Sequence, residues 1–232
     1  LDGSASPRRA VAELGLADTA HRVVAVDTGR AGAGNPEGLR LALLERIGKR
    51  IGASPAGCEL AGTLYVVVPA DRADWDTLSG LLDHRGHGSL RAAAGSAQAI
   101  AELARSRAEA DETLGLLRAG VITGPVVSYD EAWTALALHR VAVAAGGSGA
   151  VELGPLGTLR EHDERKHTAY LDTLYAWLRH PGDPRSAARE LAIHPNTLRY
   201  RLRKLLDLTA LDLDDPDVRL ALLTQLVALR WS

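Results

Sequence analysis

Arg199, Arg201, Arg203 and Lys204 stand close together near the C-terminal end of the chain, with His194, Asn196, Thr197 and Tyr200 just ahead of and among them. A helix that meets a polyanion needs cations for the phosphates and a few polar groups for the base edges. Pro195 opens such a helix, which is expected to run to about Leu206. Its Leu198, Leu202 and Leu205 recur at i, i+4 and i+7 and form a core-facing stripe. At about 100° per residue, Thr197, Tyr200, Arg201 and Lys204 then share another face. Upstream, Asp183 and Pro184 read as the N-cap and first residue of a short helix running to Ala192, with Ala187, Ala188 and Leu191 buried. Ile193-His194-Pro195 is a tight turn between the two. Two short helices joined by a three-residue turn, the second basic on its exposed side, make a helix-turn-helix. His194, Asn196, Thr197, Tyr200 and Arg201 are the candidate base or groove contacts. Arg199, Arg203, Lys204 and Arg185 are the candidate phosphate contacts. Asp207, Asp212, Asp214, Asp215 and Asp217 follow at once, so positive charge is confined to the helix.

Other chemistries find less support. Gly29 to Gly34 is Gly-rich and lies between a strand and a helix, as a phosphate loop would, but it lacks the Lys-Ser/Thr ending and reads as a loop. His84 and His87 have no cysteine or carboxylate at ligand spacing, so no metal site is expected. Cys58 has no evident activating base and reads as a small apolar filler. Trp133 and Trp177 fall on apolar helical faces and read as core. No catalytic constellation emerges, and no enzymatic activity or cofactor is expected.

The 232 residues are 46% hydrophobic and 24% charged, a globular balance that excludes disordered, collagenous and coiled-coil classes. A net charge of −2 provides no overall attraction to nucleic acid or anionic membrane, so any DNA contact must come from a local patch. The single cysteine excludes a disulfide framework and fits a reducing, cytoplasmic setting. No apolar run is long enough to span a membrane. The absence of Met marks the sequence as an expected piece of a longer or processed chain.

Two regions must position the basic helix. Residues 8–16 have helical spacing, and HRVVAVD is a β-branched strand. Asn35-Pro36 starts a helix whose Leu39, Leu43, Leu44 and Ile47 face a core. CELAGTLYVVVPA is a hairpin turning at Ala61-Gly62. Trp75 to Leu82 is a short helix, Ser89 to Ala94 a strand, Ala97 to Leu117 a long helix and Pro125 to Tyr129 a last strand. This predicts an α+β domain over 1–130, one sheet covered by two or three helices. Glu131 to Ala145 is helical and AAGGSGAVELG a Gly-rich loop, giving a helical linker over 131–165. An all-α helix-turn-helix domain occupies 166–232.

The string SAARELAIHPNTLRYRLRKLLDLTALDLDDPDVRLALLTQLVAL strongly resembles the C-terminal helix-turn-helix domain of PucR/CdaR-type bacterial transcriptional regulators. Ala187, Ala188, Leu191, Ile193, His194, Asn196, Thr197, Leu198, Tyr200, Arg201 and Leu202 match the pattern. Leu208, Thr209, Leu211, Asp212, Leu213, Asp215, Pro216, Arg219 and Leu220 match it too. Leu153 to Leu156, His162-Asp163 and Leu171 to Leu178 look like the family's approach helices. The chain departs at Pro195, where the family usually carries Arg or Lys, and at Ala210, usually Gly. Residues 8–130 more weakly resemble the degenerate GGDEF-like domain that often precedes this module. The hairpin at Ala61 to Tyr65 lacks the carboxylates a cyclase needs to hold Mg²⁺, so the resemblance implies a scaffold. It further implies a sequence-specific regulator binding double-stranded DNA as a homodimer or higher oligomer, with a metabolite-sensing domain upstream of Leu1. The rival is a nucleotide- or metabolite-binding α/β protein with a helical interaction tail.

Overall fold

The computed structural model describes residues 19–28, 36–52, 54–83 and 90–231. The expected helix at 8–16, the Asn35 cap, the side chain of Leu39, the Gly29–Gly34 loop, His84, His87 and Ser89 lie outside them. The chain forms two compact units, Leu1–Leu136 and Ala137–Ser232.

In the first unit, β1 (His21–Asp27) is buried along nearly its whole length, as its run of Val and Ala requires of a central strand. It pairs antiparallel with β3 (Thr63–Pro69) on one side and β4 (Arg91–Ala94) on the other. The edge strand β2 (Ala56–Leu60) pairs antiparallel with β3, and β5 (Val126–Ser128) pairs parallel with β4. The order is therefore β2-β3-β1-β4-β5. The expected hairpin is present, and both Ala61 and Gly62 at its turn have positive φ, 49° and 75°.

Alternation along the strands sends two sets of side chains to opposite faces. Val24, Val26, Leu64 and Val66 meet Leu43, Ile47 and Ile51 of α1 (Pro36–Ile51) and Leu78 and Leu82 of α2 (Trp75–Leu82). Ala25 and Ala93 face Ala110, Leu114 and Leu117 of α3 (Leu103–Arg118). The expected sheet covered by helices is present, and the helices lie on both of its faces, so a three-layer core results.

The expected start of α3 at Ala97 is corrected. Gln98 still pairs with His21, donating to its carbonyl at 2.7 Å and accepting from its N–H at 2.8 Å. Backbone committed to the sheet cannot also close a helical turn, so a 3₁₀ turn at Ile100–Glu102 intervenes before α3 begins. α3 then lies hard against the sheet. Ser106 Oγ accepts the Val23 N–H at 2.9 Å, and a Cβ on Gly95 would sit 1.9 Å from the Ser106 carbonyl oxygen. Ser128 and Glu131 form a capping box: each side chain accepts the other's backbone N–H, at 3.2 and 2.8 Å. Trp75 Nε1 donates to the same Glu131 carboxylate at 2.7 Å.

Two side chains sit differently from their sequence reading. Cys58 is exposed, because edge strand β2 has no layer over that face. Trp133 is 67% exposed at the start of α4 (Trp133–Gly147), where Ala132 and Leu136 occupy the buried positions instead.

The second unit is helical throughout, apart from a 3₁₀ turn at Ala150–Glu152. α5 (Leu156–Lys166), α6 (Tyr170–Arg179), α7 (Pro184–Glu190), α8 (Pro195–Thr209) and α9 (Pro216–Trp231) follow in order. Their core joins Leu156, Leu159, Leu174, Leu178, Ala187, Ala188, Leu198, Leu202, Leu205, Leu222 and Leu226. Half-buried Trp177 packs against it. The Gly-rich stretch expected as loop begins within α4, which extends through Gly147.

Gly95→Ala is expected to lower the stability of the first unit by about 1–3 kcal/mol, since the added Cβ must push α3 off β4. A denaturant midpoint displaced at unchanged m-value measures it. Burial pushes the Glu109 carboxyl up, but hydrogen bonds from Ser96 and the Arg105 guanidinium outweigh it and hold it below the ordinary glutamate range. A lowered folded-state pKa gives stability that is present above the ordinary glutamate value and is lost as pH falls through the lowered one. Glu109→Gln should therefore flatten the acid limb of the stability–pH curve while leaving its alkaline limb in place.

Candidate nucleic-acid interface

The geometry of the interface begins with the caps. Asp183 accepts from the backbone N–H groups of Arg185 and Ser186, both at 3.1 Å, and so starts α7 as expected. Hydrogen bonds from the Ser186 hydroxyl and backbone hold its carboxyl below the usual range. α7 ends at Glu190, short of the expected Ala192, because Ala192 turns left-handed with φ 53°. Ile193 N–H donates to the Ala188 carbonyl at 3.0 Å and closes the turn. His194 then sits in extended backbone as the N-cap of α8, its Nδ1 accepting from the Asn196 N–H at 3.2 Å. An accepting Nδ1 requires the neutral ring with its proton on Nε2. Pro195 occupies the first helical position, where it lacks only a donor that would go unused. That is a local reason for a proline where the resemblance expects Arg or Lys.

α8 runs to Thr209, past the expected Leu206, and stops where Ala210 adopts φ 52°. Leu198, Leu202 and Leu205 are buried as the spacing requires. The opposite face carries Asn196, Tyr200, Arg203 and Asp207, all exposed and spaced i, i+4, i+7 and i+11. Arg199 flanks this stripe on one side, Thr197 and Lys204 on the other, and all three are exposed. Arg201 needs a correction. It lies within about 60° of both Leu198 and Leu205 on the helix circumference, so it is half-buried at the margin of the core. His194 and Arg185 are exposed.

Charge is distributed unevenly. Several arginines elsewhere have acidic partners: Arg118 meets Asp27 at 3.0 Å, Arg105 meets Glu109 at 3.0 Å and Arg179 meets Glu190 at 3.0 Å, while others, such as Arg72 and Arg219, donate to backbone carbonyls. Among the described residues Arg185, Arg199, Arg201, Arg203 and Lys204 form no ion pair. Arg199 Nη1 donates to Asn196 Oδ1 at 2.8 Å, and the Arg203 guanidinium lies 6.0 Å from the centroid of the exposed Tyr200 ring. Two of the aspartates that follow are occupied. Asp212 accepts the Asp214 N–H at 2.9 Å, and Asp215 accepts the Asp217 N–H at 2.8 Å ahead of α9. Arg219 donates to the Leu213 and Asp214 carbonyls, both at 2.9 Å, and so ties that loop. Of the acids that in sequence look like a charge boundary, Asp212 and Asp215 are turn and cap residues, while Asp207 lies within α8.

Sequence reasoning missed one positioning residue. Asp163, at the end of α5, accepts the Tyr170 N–H at 2.8 Å and the Leu171 N–H at 2.9 Å, and thereby starts α6. His162 stacks on Tyr170 with ring centroids 5.1 Å apart. The spacing between Asp163 and the helix it caps is too long for a local N-cap signature, so only the resemblance at His162-Asp163 could have flagged it.

Residues 170–228 match the family model for the PucR C-terminal helix-turn-helix domain. This segment is similar to PucR-type helix-turn-helix domains. Over 122 residues the chain is 29% identical to the proline-responsive transcriptional activator PutR of Bacillus subtilis (strain 168), covering 51% of this chain and 30% of that protein. Over 50 residues it is 50% identical to the carbohydrate diacid regulator of Escherichia coli (strain K12), covering 22% and 13%. The chain thus spans less than a third of the length of these curated relatives. A crystal structure of a regulator of polyketide synthase expression from Bifidobacterium adolescentis aligns over 92% of this chain and 81% of that one. Its TM-score is 0.41 and its identity 19%. Within the matched segment, α7 and α8 form the helix-turn-helix pair, with α8 in the place of the second helix.

Among the described residues no three or more His, Cys, Asp or Glu side chains converge as a metal site would require, and no helix is long and apolar enough to cross a membrane.

Ala210 ends α8 in a conformation that costs an L-residue roughly 1–2 kcal/mol. Ala210→Gly should raise the stability of the second unit by up to about 1 kcal/mol and lengthen neither helix nor loop. Differential scanning calorimetry of the two unfolding transitions would read it, with the transition of the first unit unmoved.

Proposed function

We propose that the chain is the DNA-reading part of a sequence-specific transcriptional regulator that acts without catalysis. One observation carries this. Among the described residues the cations of α8 form no ion pair, while its leucines and the His194 cap hold it in place and Asp183 caps the helix before it. A duplex inserted along the Asn196–Tyr200–Arg203 stripe supplies counter-charge. Asn196, Thr197 and Tyr200, in the first half of the helix, then face base edges, with the Nε2–H of His194 beside them. Arg199, Arg203, Lys204 and Arg185 reach phosphates. Arg201 serves at the groove margin, its stem packed beside the core and its guanidinium outward.

The domain division over 1–130, 131–165 and 166–232 is part of the same reading, with the first region a GGDEF-like scaffold. A homodimer or higher oligomer on paired half-sites follows from the small footprint of one helix. The names of the two curated relatives, one proline-responsive and one a carbohydrate diacid regulator, support response to a small polar metabolite. A cytoplasmic location goes with that role.

Fluorescence anisotropy with duplex promoter DNA across a salt series tests the assignment. Lys204→Ala should weaken binding evenly across sequences and reduce the salt slope by about one. Tyr200→Ala should cost about 1–3 kcal/mol on the preferred sequence and little on a scrambled one. If both variants bind like the parent chain, α8 is not the reading helix.

A further inference from the structure

Strand β2 (Ala56–Leu60) is an edge of the sheet, and most of it is exposed. Its inner side pairs with β3, and among the described residues its outer side is unpaired. Such an edge is a row of free N–H and C=O groups, usually guarded by lysine, an internal proline, a bulge or shortness. β5, the opposite edge, is short, at 3 residues. β2 has no lysine, internal proline or bulge. It pairs with β3 in unbroken register from Ala56↔Val67 to Leu60↔Thr63, and Glu59 is its lone charge.

The register settles which backbone groups point outward. Across a two-residue turn, the flanking Leu60 and Thr63 exchange their backbone hydrogen bonds. Alternation along the antiparallel ladder then turns the N–H and C=O of Ala56 and Cys58 toward β3, and those of Gly57 and Glu59 outward.

We infer that this edge pairs antiparallel with the same strand of a second copy of the chain, about a two-fold axis at Cys58. Gly57 then stands opposite the partner's Glu59, and Glu59 opposite the partner's Gly57. Each of these pairs exchanges both backbone hydrogen bonds, using the outward groups alone. Each carboxylate faces a glycine, and the two carboxylates lie diagonally, roughly 7–8 Å apart. A register centred on Glu59 would set like charges directly opposite. One centred on Gly57 would leave Leu60 beyond the pairing. The Cys58 register also sets Leu60, 54% exposed in the single chain, beside the partner's Ala56 on one face. Cys58 is exposed and faces its own copy in a non-hydrogen-bonded pair, with Cα atoms about 4.5 Å apart. That separation is within the span of a disulfide, so the thiol reports the register. The pairing is a property of the first unit and stands apart from DNA binding.

The test uses the intact chain without DNA. Gly57 is left alone, because a Cβ there would meet Leu44 at 2.9 Å. Glu59→Pro removes an outward donor and keeps the β2–β3 ladder. Cys58→Lys sets two cations opposite each other at an exposed site. Sedimentation velocity over a micromolar concentration series should show a monomer–dimer equilibrium, with the dissociation constant raised at least tenfold in either variant. Diamide should link the parent chain through Cys58 in proportion to its dimer fraction, and much less in Glu59→Pro. Should Glu59→Pro melt abnormally, Cys58→Lys decides alone. A chain that is monomeric throughout, a folded variant that associates like the parent, or diamide linkage undiminished in folded Glu59→Pro overturns the inference.

Discussion

Arg199, Arg203 and Lys204 repel one another along exposed turns of α8, and among the described residues none of them forms an ion pair, with Asp207 the one carboxylate near them on the helix. Like charges at i, i+4 cost a helix about 0.2–0.5 kcal/mol per pair. Against this stand Leu198, Leu202 and Leu205 on the other face, each contributing about 1.5–3 kcal/mol by burial. Packing therefore wins by a wide margin. The helix can be held rigid by one face while the other remains electrostatically unfinished. Everything else in the second unit serves this division. α7 provides the small Ala187 and Ala188 so that α8 can approach closely. Asp183, His194 and Asp215 satisfy helix starts locally, so among the described residues no cation of α8 is drawn into an ion pair.

The first unit treats charge in the opposite way. Arg118 spans from α3 to the sheet, donating to Asp27 at 3.0 Å and to the Thr63 hydroxyl at 2.8 Å. Tyr65 donates to Asp111 at 2.7 Å, with the Arg107 guanidinium 4.6 Å from its ring centroid. Asp27, the carboxylate at the end of the first strand, is thus buried and engaged by an arginine. Its charge is already met from within the unit.

Much of this was legible in the sequence because short-range physics decides it. The β-branched run of β1, the Ala61-Gly62 turn, the Asp183-Pro184 start and the leucine stripe of α8 are local signals, and each lies where its pattern places it. The failures are tertiary. Gln98 is in an Ala-rich stretch with good helical propensity, yet pairing with His21 overrides it. Trp133 falls on an apolar face, but smaller neighbours take the buried positions. Arg201 shows the limit of a wheel drawn by residue type. Polarity assigns it to the outer face, whereas the angle from Leu198 assigns it to the margin. At the interface, polar atoms satisfied nearby, such as those of Asp212 and Asp215, cannot be told from free ones until the turns are seen.

Left-handed alanines mark where the chain accepts strain. Ala61 turns the hairpin, Ala192 joins the two helices of the motif and Ala210 ends α8, with φ between 49° and 53°. A glycine would relieve each, but would also widen the range of conformations open to the turn. At Ala192 that range matters most. The angle between α7 and α8 sets whether Arg185 and the first half of α8 can reach one duplex together. The closing hydrogen bonds from Ala192 N–H to the Arg189 carbonyl and from Ile193 N–H to the Ala188 carbonyl hold that angle on two sides. A strained residue between two satisfied donors is a stiff joint. Stiffness here does for recognition what charge does for affinity, because a helix that wavered would spread its contacts over several base steps and read none of them well.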